Sequence, residues 1–175
     1  SLDLPLKTMK ELNEHSRKED LSELVEDCKT SNVALISDCG TPGFCDPGAD
    51  LIKACRQNGI SVNSAPGPSS LMTFLSLLGE RLDQFYFRGF LPAKTELRAE
   101  ALKEIKQKRQ NTILMDTPYR MIKLLNELKD QLGDPQIILG IELSMENETI
   151  YSGKVSKVLK ELKSEKAEFV LLLKV

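Results

Sequence analysis

The chain has 175 residues, a formal net charge of −2 and 41% hydrophobic residues, a composition typical of a globular protein and not of a disordered one. Its four cysteines form no CxxC pair, and a single histidine, His15, excludes a multi-histidine metal site. The sequence contains no apolar run of membrane-spanning length and no signal-peptide pattern. We therefore expect a cytoplasmic protein with no metal, no disulfide framework and no membrane partner.

The first half of the chain alternates helix-like and strand-like segments. A capping-box pattern at 16–19 opens a predicted helix that ends near Cys28. The β-branched run Val33–Ile36 follows as a predicted buried strand. Short crossovers of this kind favour parallel neighbouring strands. The remaining predicted elements of this half are a helix at 49–55, a strand at 60–62 and a helix at 71–78.

A polar break at 80–83 is the predicted domain boundary, and strands and helices alternate again beyond it. Between Lys94 and Arg109, cations interleave with Glu96, Glu100 and Glu104, which indicates a solvated helix with salt-bridge pairs more than an RNA-binding surface. The last apolar run is typical of a fully buried strand. The predicted elements are strands at 85–87, 112–115, 137–141 and 169–175 and helices at 95–108, 121–132 and 155–162.

Two loops rich in glycine and proline follow the first two predicted strands, at 37–48 and 65–70. In open α/β sheets, ligands bind beyond the carboxyl ends of the strands, where such loops allow a ligand to approach the backbone closely. The tripeptide Asp46–Gly48 alone is ordinary helix-capping chemistry. The occurrence of two loops in succession favours a ligand site.

Four motifs occur in the order and at the spacing of a known family: DCGTPGFCDPG at 38–48, PGPSS at 66–70, GFLPAK at 89–94 and DTPYR at 116–120. Together they resemble the tetrapyrrole-methylase superfamily of S-adenosylmethionine-dependent methyltransferases. Within it, the chain resembles the small-subunit ribosomal RNA (cytidine-2'-O)-methyltransferase family. The resemblance runs from about Leu12 to the C-terminus.

The resemblance implies a two-domain, class III methyltransferase-like α/β fold. The first domain, at 3–82, is expected to bind the methyl donor through a parallel α/β structure, and the second, at 83–175, to contain a mixed sheet. Family members begin with a strand and a glycine-containing loop that this chain does not supply. The first domain is therefore expected to be incomplete, and these residues alone to have little or no methyltransferase activity.

The resemblance also implies the cofactor, S-adenosylmethionine, and the residues that bind it. N-capping is the alternative role for the first of the two serines, and core packing is the alternative for the methionine. The donor-binding positions are Asp38, Cys39, Gly40, Thr41, Ser69, Ser70 and Met115.

Charged residues of the second domain are the candidates for contact with the acceptor. Asp116, Arg120 and Glu142 are the predicted substrate-binding residues, and Glu148 lies near them in the family pattern. None is assigned as a catalytic base, because in-line methyl transfer requires positioning more than a nucleophilic side chain. Arg120 either binds a phosphate or pairs with a carboxylate, Asp116 or Glu142, as part of the structure.

Three functions stay open at this stage. The first is 2'-O-methylation of a ribose in small-subunit ribosomal RNA, with the RNA or the small-subunit particle as partner; the second is methylation of a tetrapyrrole or another small molecule. The third is a non-catalytic module that retains the fold. The negative net charge and Met145, which stands where the ribosomal branch has a lysine, weaken the RNA assignment. The resemblance also implies a homodimer.

Overall fold

The computed structural model describes residues 9–13, 16–37 and 41–174. The chain divides into two compact units, Ser1–Pro68 and Ser69–Val175. The units divide after Pro68, whereas the predicted domain boundary lies after residue 82. The assignment of donor binding to the first domain stays a prediction.

The first unit contains two described helices, α1 at Lys18–Thr30 and α2 at Ala49–Gln57. Helix α1 begins one residue later than the predicted capping box at 16–19: its N-cap is Arg17, and the Asp20 carboxylate accepts the backbone N–H of Arg17 at 2.8 Å. The helices pack on each other through an apolar cluster. Its buried members are Leu24, Val25, Leu51 and Cys55.

The two strands predicted in the first unit, at 33–36 and 60–62, are not strands among the described residues. Their side chains are not buried either, because Val33 is 47% exposed, Ile36 69% and Val62 38%. A strand requires backbone hydrogen bonds to a neighbouring strand, and apolar content alone does not supply them. The parallel sheet predicted for this domain is therefore a wrong prediction for the part of the chain that the structure describes.

The second unit is built on a five-stranded sheet in the order β1-β2-β5-β3-β4. Only the β1–β2 pair is parallel and the other three are antiparallel, so the predicted mixed sheet is confirmed. Strand β4 was not predicted from the sequence. The strands are β1 Tyr86–Phe90, β2 Thr112–Met115, β3 Gln136–Ile141, β4 Thr149–Lys154 and β5 Phe169–Leu173. The helices are α3 Ser70–Ser76, α4 Thr95–Lys108, α5 Met121–Leu132 and α6 Val155–Glu161, with a 3-10 turn at Pro118–Arg120.

Helices cover both faces of this sheet. Helices α4, α5 and α6 pack on the face that carries Leu114, Leu139 and Leu171, all fully buried. Helix α3 packs on the opposite face through Phe74, which is also fully buried. No helix among the described residues has both the length and the apolar content to cross a membrane.

Strand directions bring several chain segments to one edge of the sheet. Met115, at the end of β2, pairs with Phe90 of β1 and with Val170 near the start of β5. Ile141, at the end of β3, pairs with Phe169. The carboxyl ends of β1, β2 and β3 therefore lie at the same edge as the beginning of β5, and we refer to it as the carboxyl edge. Ligands of open α/β sheets bind at such edges.

Candidate functional site

The two loops rich in glycine and proline meet in the first unit. Thr41 Oγ1 donates a hydrogen bond to the Pro68 carbonyl at 3.3 Å, which joins the end of the second loop to the first. Gly48, with φ of +131°, packs so closely that a Cβ atom there would lie 2.6 Å from Leu35 Cδ2. Glycine is required at this position both for its backbone conformation and for its lack of a side chain. Three of the residues predicted to bind the methyl donor, Asp38, Cys39 and Gly40, lie outside the described residues.

The two predicted donor-binding serines open helix α3 in the second unit. Ser69 is its N-cap, and its Oγ accepts the backbone N–H of Met72 at 3.4 Å. The capping alternative for Ser69 is therefore present in the structure. Ser70 is the first residue of the helix, and its side chain is exposed. Donor binding by either serine stays a prediction.

Met115 and Asp116 lie at the carboxyl edge, on opposite faces of the sheet. Met115 is half-buried and packs against the α3 face. Asp116, the next residue, is only 3% exposed and points toward the α4 and α5 side, where its carboxylate is held by arginines. The strand end therefore presents a thioether to one face and a buried carboxylate to the other.

Asp116 is the centre of a buried ion-pair network. Its Oδ2 accepts Arg98 Nη1 at 2.8 Å, and its Oδ1 accepts the Thr117 backbone N–H at 2.9 Å and Arg120 Nη1 at 3.5 Å. Arg98 extends the network to helix α5, because its Nε donates to Glu127 Oε2 at 2.6 Å. Burial of both charges makes these bonds necessary, since an unpaired charge in the interior is strongly destabilising.

Arg98 is the residue of this site that sequence reasoning missed. The interleaved charges of α4 predicted a solvated helix, yet the Arg98 side chain is only 2% exposed. Its Nη2 is buried and has no hydrogen-bond partner among the described residues. A single arginine within a charged run carries no signal of burial, because the run also contains exposed Lys103 and Lys106.

Arg120 and Glu142 both make structural contacts at the carboxyl edge. Arg120 pairs with Asp116, which is one of the two roles expected for it, while its side chain stays 39% exposed. Glu142 closes the junction of β3 and β5: its N–H donates to the Glu168 carbonyl at 2.9 Å, and its Oε1 accepts the Glu168 N–H at 3.0 Å. Glu148 also bonds locally, to the Ser144 N–H at 2.7 Å. Contact of these residues with an acceptor stays a prediction.

An exposed aromatic side chain follows the end of β2. Tyr119 is 78% exposed, and the ammonium of Lys166, in the segment before β5, lies 3.8 Å from the centre of its ring. Hydrogen bonding to Lys166 and the charge of this ammonium lower the pKa of Tyr119. The DTPYR motif contains Tyr119, but no pattern in the sequence distinguishes this residue from its neighbours.

The structure brings Met115, Asp116, Arg120 and Glu142 to one edge of one sheet, and it joins Thr41 to the second loop. The described part of the chain contains no cluster of three or more histidine, cysteine, aspartate or glutamate side chains that could hold a metal ion. The carboxyl edge of the second unit thus presents a thioether and charged side chains, and the two loops of the first unit present a hydroxyl and backbone groups.

The fold is shared with solved methyltransferase and synthase structures. It superimposes on diphthine synthase with a TM-score of 0.70 at 16% identity, covering 91% of this chain and 68% of that one. It also matches a uroporphyrin-III C-methyl transferase from Thermus thermophilus, solved in complex with S-adenyl homocysteine, with a TM-score of 0.58 at 16% identity, covering 89% of this chain and 72% of that one. At these identities the likeness establishes the fold.

Residues 2–159 match the tetrapyrrole (corrin/porphyrin) methylases, and the chain belongs to this family. Among curated relatives, the ribosomal RNA small subunit methyltransferase I of Haemophilus influenzae is 38% identical over 92% of this chain and 59% of its own length. The protein of the same name from Escherichia coli O157:H7 is 35% identical over 92% and 58%. The one from Thermotoga maritima is 30% identical over 93% and 72%. The chain thus spans less than two thirds of the length of the first two relatives.

Proposed function

We propose that the protein is an S-adenosylmethionine-dependent methyltransferase that methylates the 2'-hydroxyl of a ribose in small-subunit ribosomal RNA. The observation that carries this proposal is the 35% to 38% identity, over 92% of the chain, to relatives named ribosomal RNA small subunit methyltransferase I. The matched region includes both glycine- and proline-rich loops and the strand end at Met115.

Each unit contains residues whose chemistry fits the methyl donor. S-adenosylmethionine, when bound, supplies an electrophilic methyl group. Hydroxyls of Thr41, Ser69 and Ser70 suit the hydroxyl and carboxylate groups of such a molecule, and the half-buried thioether of Met115 suits its apolar parts. The bond from Thr41 to Pro68 supports this role, because it fixes the two loops against each other before a ligand arrives.

Residues at the carboxyl edge are proposed to position the acceptor. Asp116 is not proposed as a general base, because both of its carboxylate oxygens already accept hydrogen bonds from arginines or from the Thr117 N–H. Instead it fixes the strand end and the guanidinium of Arg120. The exposed part of Arg120 is available to contact a phosphate of the acceptor. Positioning of this kind is the main contribution a protein makes to in-line transfer.

Calorimetric titration with S-adenosylmethionine and S-adenosylhomocysteine tests the donor site. We expect binding to a longer form of the protein that matches the relatives in length, and weak or no binding to these 175 residues alone. Met115→Ala in the longer form should weaken binding, whereas Met9→Ala, which changes a methionine that is 80% exposed, should not. If neither the longer form nor the 175-residue chain binds, the donor site is rejected and a non-catalytic module is favoured.

Transfer of labelled methyl groups tests the acceptor. The longer form should label ribosomal RNA within small-subunit particles, and digestion to nucleosides should place the label on a ribose. Donor binding together with transfer to a porphyrinoid, and none to RNA, would replace the proposed acceptor with a small molecule.

A further inference from the structure

Two exposed aromatic side chains of the second unit lie at its carboxyl edge. Among the described residues of this unit, only Phe90 and Tyr119 are aromatic and exposed, at 43% and 78%. Phe90 is the last residue of β1 and pairs with Met115, and Tyr119 follows β2 in the 3-10 turn. Both lie where the family motifs GFLPAK and DTPYR follow parallel strands. The other aromatic side chains of the unit are half-buried or buried.

One face of the Tyr119 ring is covered and the other is open. The Lys166 ammonium lies 3.8 Å from the ring centre on one side, yet 78% of the residue remains accessible. A cation on one face polarises the ring and fixes its orientation without covering the second face. A planar group can therefore stack on the open face while the ammonium remains close to the charges attached to that group.

A second lysine–tyrosine pair in the same unit provides a contrast. Lys108 Nζ also lies 3.8 Å from the ring centre of Tyr86, at the opposite end of β1. Tyr86 is half-buried, and Lys108 also pairs with Glu104 at 3.0 Å on its own helix. The Tyr86 pair is thus packed into the structure, whereas the Tyr119 pair projects from it.

We propose that Tyr119 stacks against an unpaired base of an RNA substrate, with Lys166 beside the neighbouring phosphate. This inference rests on the proposed RNA acceptor and names the surface that binds it. Proteins hold single-stranded RNA by stacking bases on exposed aromatic rings and by placing cations along the backbone. Arg120, one residue further along, supplies a second partly exposed cation.

Stacking contributes more than charge at this surface. Glu165 and Glu168 lie on the same segment as Lys163 and Lys166, and all four side chains are exposed, so the local charge is nearly balanced. A balanced surface releases few counterions when it binds RNA, so the affinity should depend only weakly on salt. Base stacking on an aromatic ring depends little on net charge and tolerates any base.

Fluorescence anisotropy with a short, unstructured, labelled RNA oligonucleotide tests this surface without a methyl donor. Tyr119→Ala should weaken binding by about tenfold, the loss expected for one stacked base. Tyr119→Phe keeps the ring and should retain most of the affinity, and Lys166→Gln should weaken binding less than Tyr119→Ala. Lys108→Gln, in the packed pair, is the matched control and should leave the affinity unchanged.

Photo-crosslinking with an oligonucleotide that carries thiouridine adds a direct readout, and the expected cross-link maps to Tyr119. Equal RNA affinity for Tyr119→Ala and the unchanged chain would overturn the proposal, and so would a chain that binds no RNA. A change in oligomeric mass without a change in RNA affinity would assign Tyr119 to a contact between copies of the chain and would also overturn it. These experiments contain no S-adenosylmethionine, so a failure of RNA binding is distinguished from a failure of methyl transfer.

Discussion

The two units place similar apolar segments in different environments. Phe169–Leu173 forms β5, lies between β2 and β3, and has five buried residues. Val33–Ile36 is also entirely apolar and is richer in β-branched residues, yet it is not a strand and two of its side chains are 47% and 69% exposed. The difference lies in the neighbours, because β5 has hydrogen-bonded partners on both sides. An apolar run becomes a buried strand only when other strands pair with it.

Matched substitutions in the two units test this comparison, and the largest effect is expected at the buried ion pair. Arg98→Ala removes the closer of the two arginines that pair with the buried Asp116 carboxylate and should lower the free energy of unfolding by about 4 kcal/mol. Lys10→Ala in the first unit removes a lysine that pairs with Glu23 and Asp27 at 2.6 Å in an exposed setting, so its effect should be too small to measure. Urea unfolding followed by circular dichroism measures both. A loss below about 1 kcal/mol for Arg98→Ala would show that the network is not required for stability.

The second prediction compares the two apolar segments directly. Leu171→Ala, at a fully buried position of β5, should lower the free energy of unfolding by about 3 kcal/mol, because it leaves a cavity in the core. Ile36→Ala, at a position that is 69% exposed, should change it by less than about 0.5 kcal/mol. The same unfolding experiment applies. Equal losses at the two sites would mean that Ile36 is buried in solution.

The third prediction concerns two glycines. A Cβ atom at Gly140 would lie 2.8 Å from Phe74 and 3.0 Å from Leu143, so Gly140→Ala should cost about 2 kcal/mol through overpacking. Gly67 is the control in the first unit, since its nearest contact would be the Ala65 carbonyl at 3.9 Å. Gly67→Ala should be neutral or slightly stabilising because it restricts the unfolded chain. Midpoints of thermal unfolding give the comparison, and a neutral Gly140→Ala would contradict close packing of α3 on β3.

The fourth and smallest prediction is the pH dependence of two helix-start carboxylates. Hydrogen bonds from the Ser156 hydroxyl, at 2.7 Å, and backbone N–H, at 2.8 Å, lower the pKa of Asp134 from its usual 3.8. A lowered folded-state pKa stabilises the protein above the unfolded pKa, and this contribution is lost as the pH falls through the folded value. Asp134→Asn should therefore lower the melting temperature at neutral pH, and the difference should close in acid.

Asp20 in the first unit is the matched case. Its pKa is lowered mainly by the hydrogen bond from the Arg17 backbone N–H. Asp20→Asn should act in the same direction as Asp134→Asn but less, because Asp134 accepts two hydrogen bonds from the residue that it caps. Melting curves between neutral pH and about pH 3 provide the test. A difference that grows in acid would show that the sign of either pKa shift is wrong.

Local sequence patterns predicted much of the second unit. Helices α4 and α5 begin and end at the predicted residues, as does β2. Their apolar periodicity and the polar residues that flank them are properties of the local sequence, so the bounds could be predicted without the fold. Strand β4 was missed since only Tyr151 of its six residues is buried and Gly153 interrupts it. Strands predicted in the first unit failed for the opposite reason: their apolar content was sufficient, but no strand among the described residues pairs with them.

The candidate site was predicted less completely than the fold. Met115, Asp116, Arg120 and Glu142 were predicted from the family resemblance, and the structure brings them to one edge, while their contact with a ligand stays a prediction. Burial of Arg98 could not be predicted, because the residue that pairs with it lies 18 positions away and belongs to another element. Exposure of Tyr119 could not be predicted either, because it depends on the position of the 3-10 turn after β2 in the folded unit.

The Arg98 guanidinium has a mechanical consequence. It joins helix α4 to the end of β2 through Asp116 and to helix α5 through Glu127, with bonds of 2.8 Å and 2.6 Å. A sliding displacement of α4 along the sheet would break both bonds at once and leave charges unpaired in the interior. One side chain therefore ties two helices to the end of a strand, and the three elements are cross-linked at a single buried point.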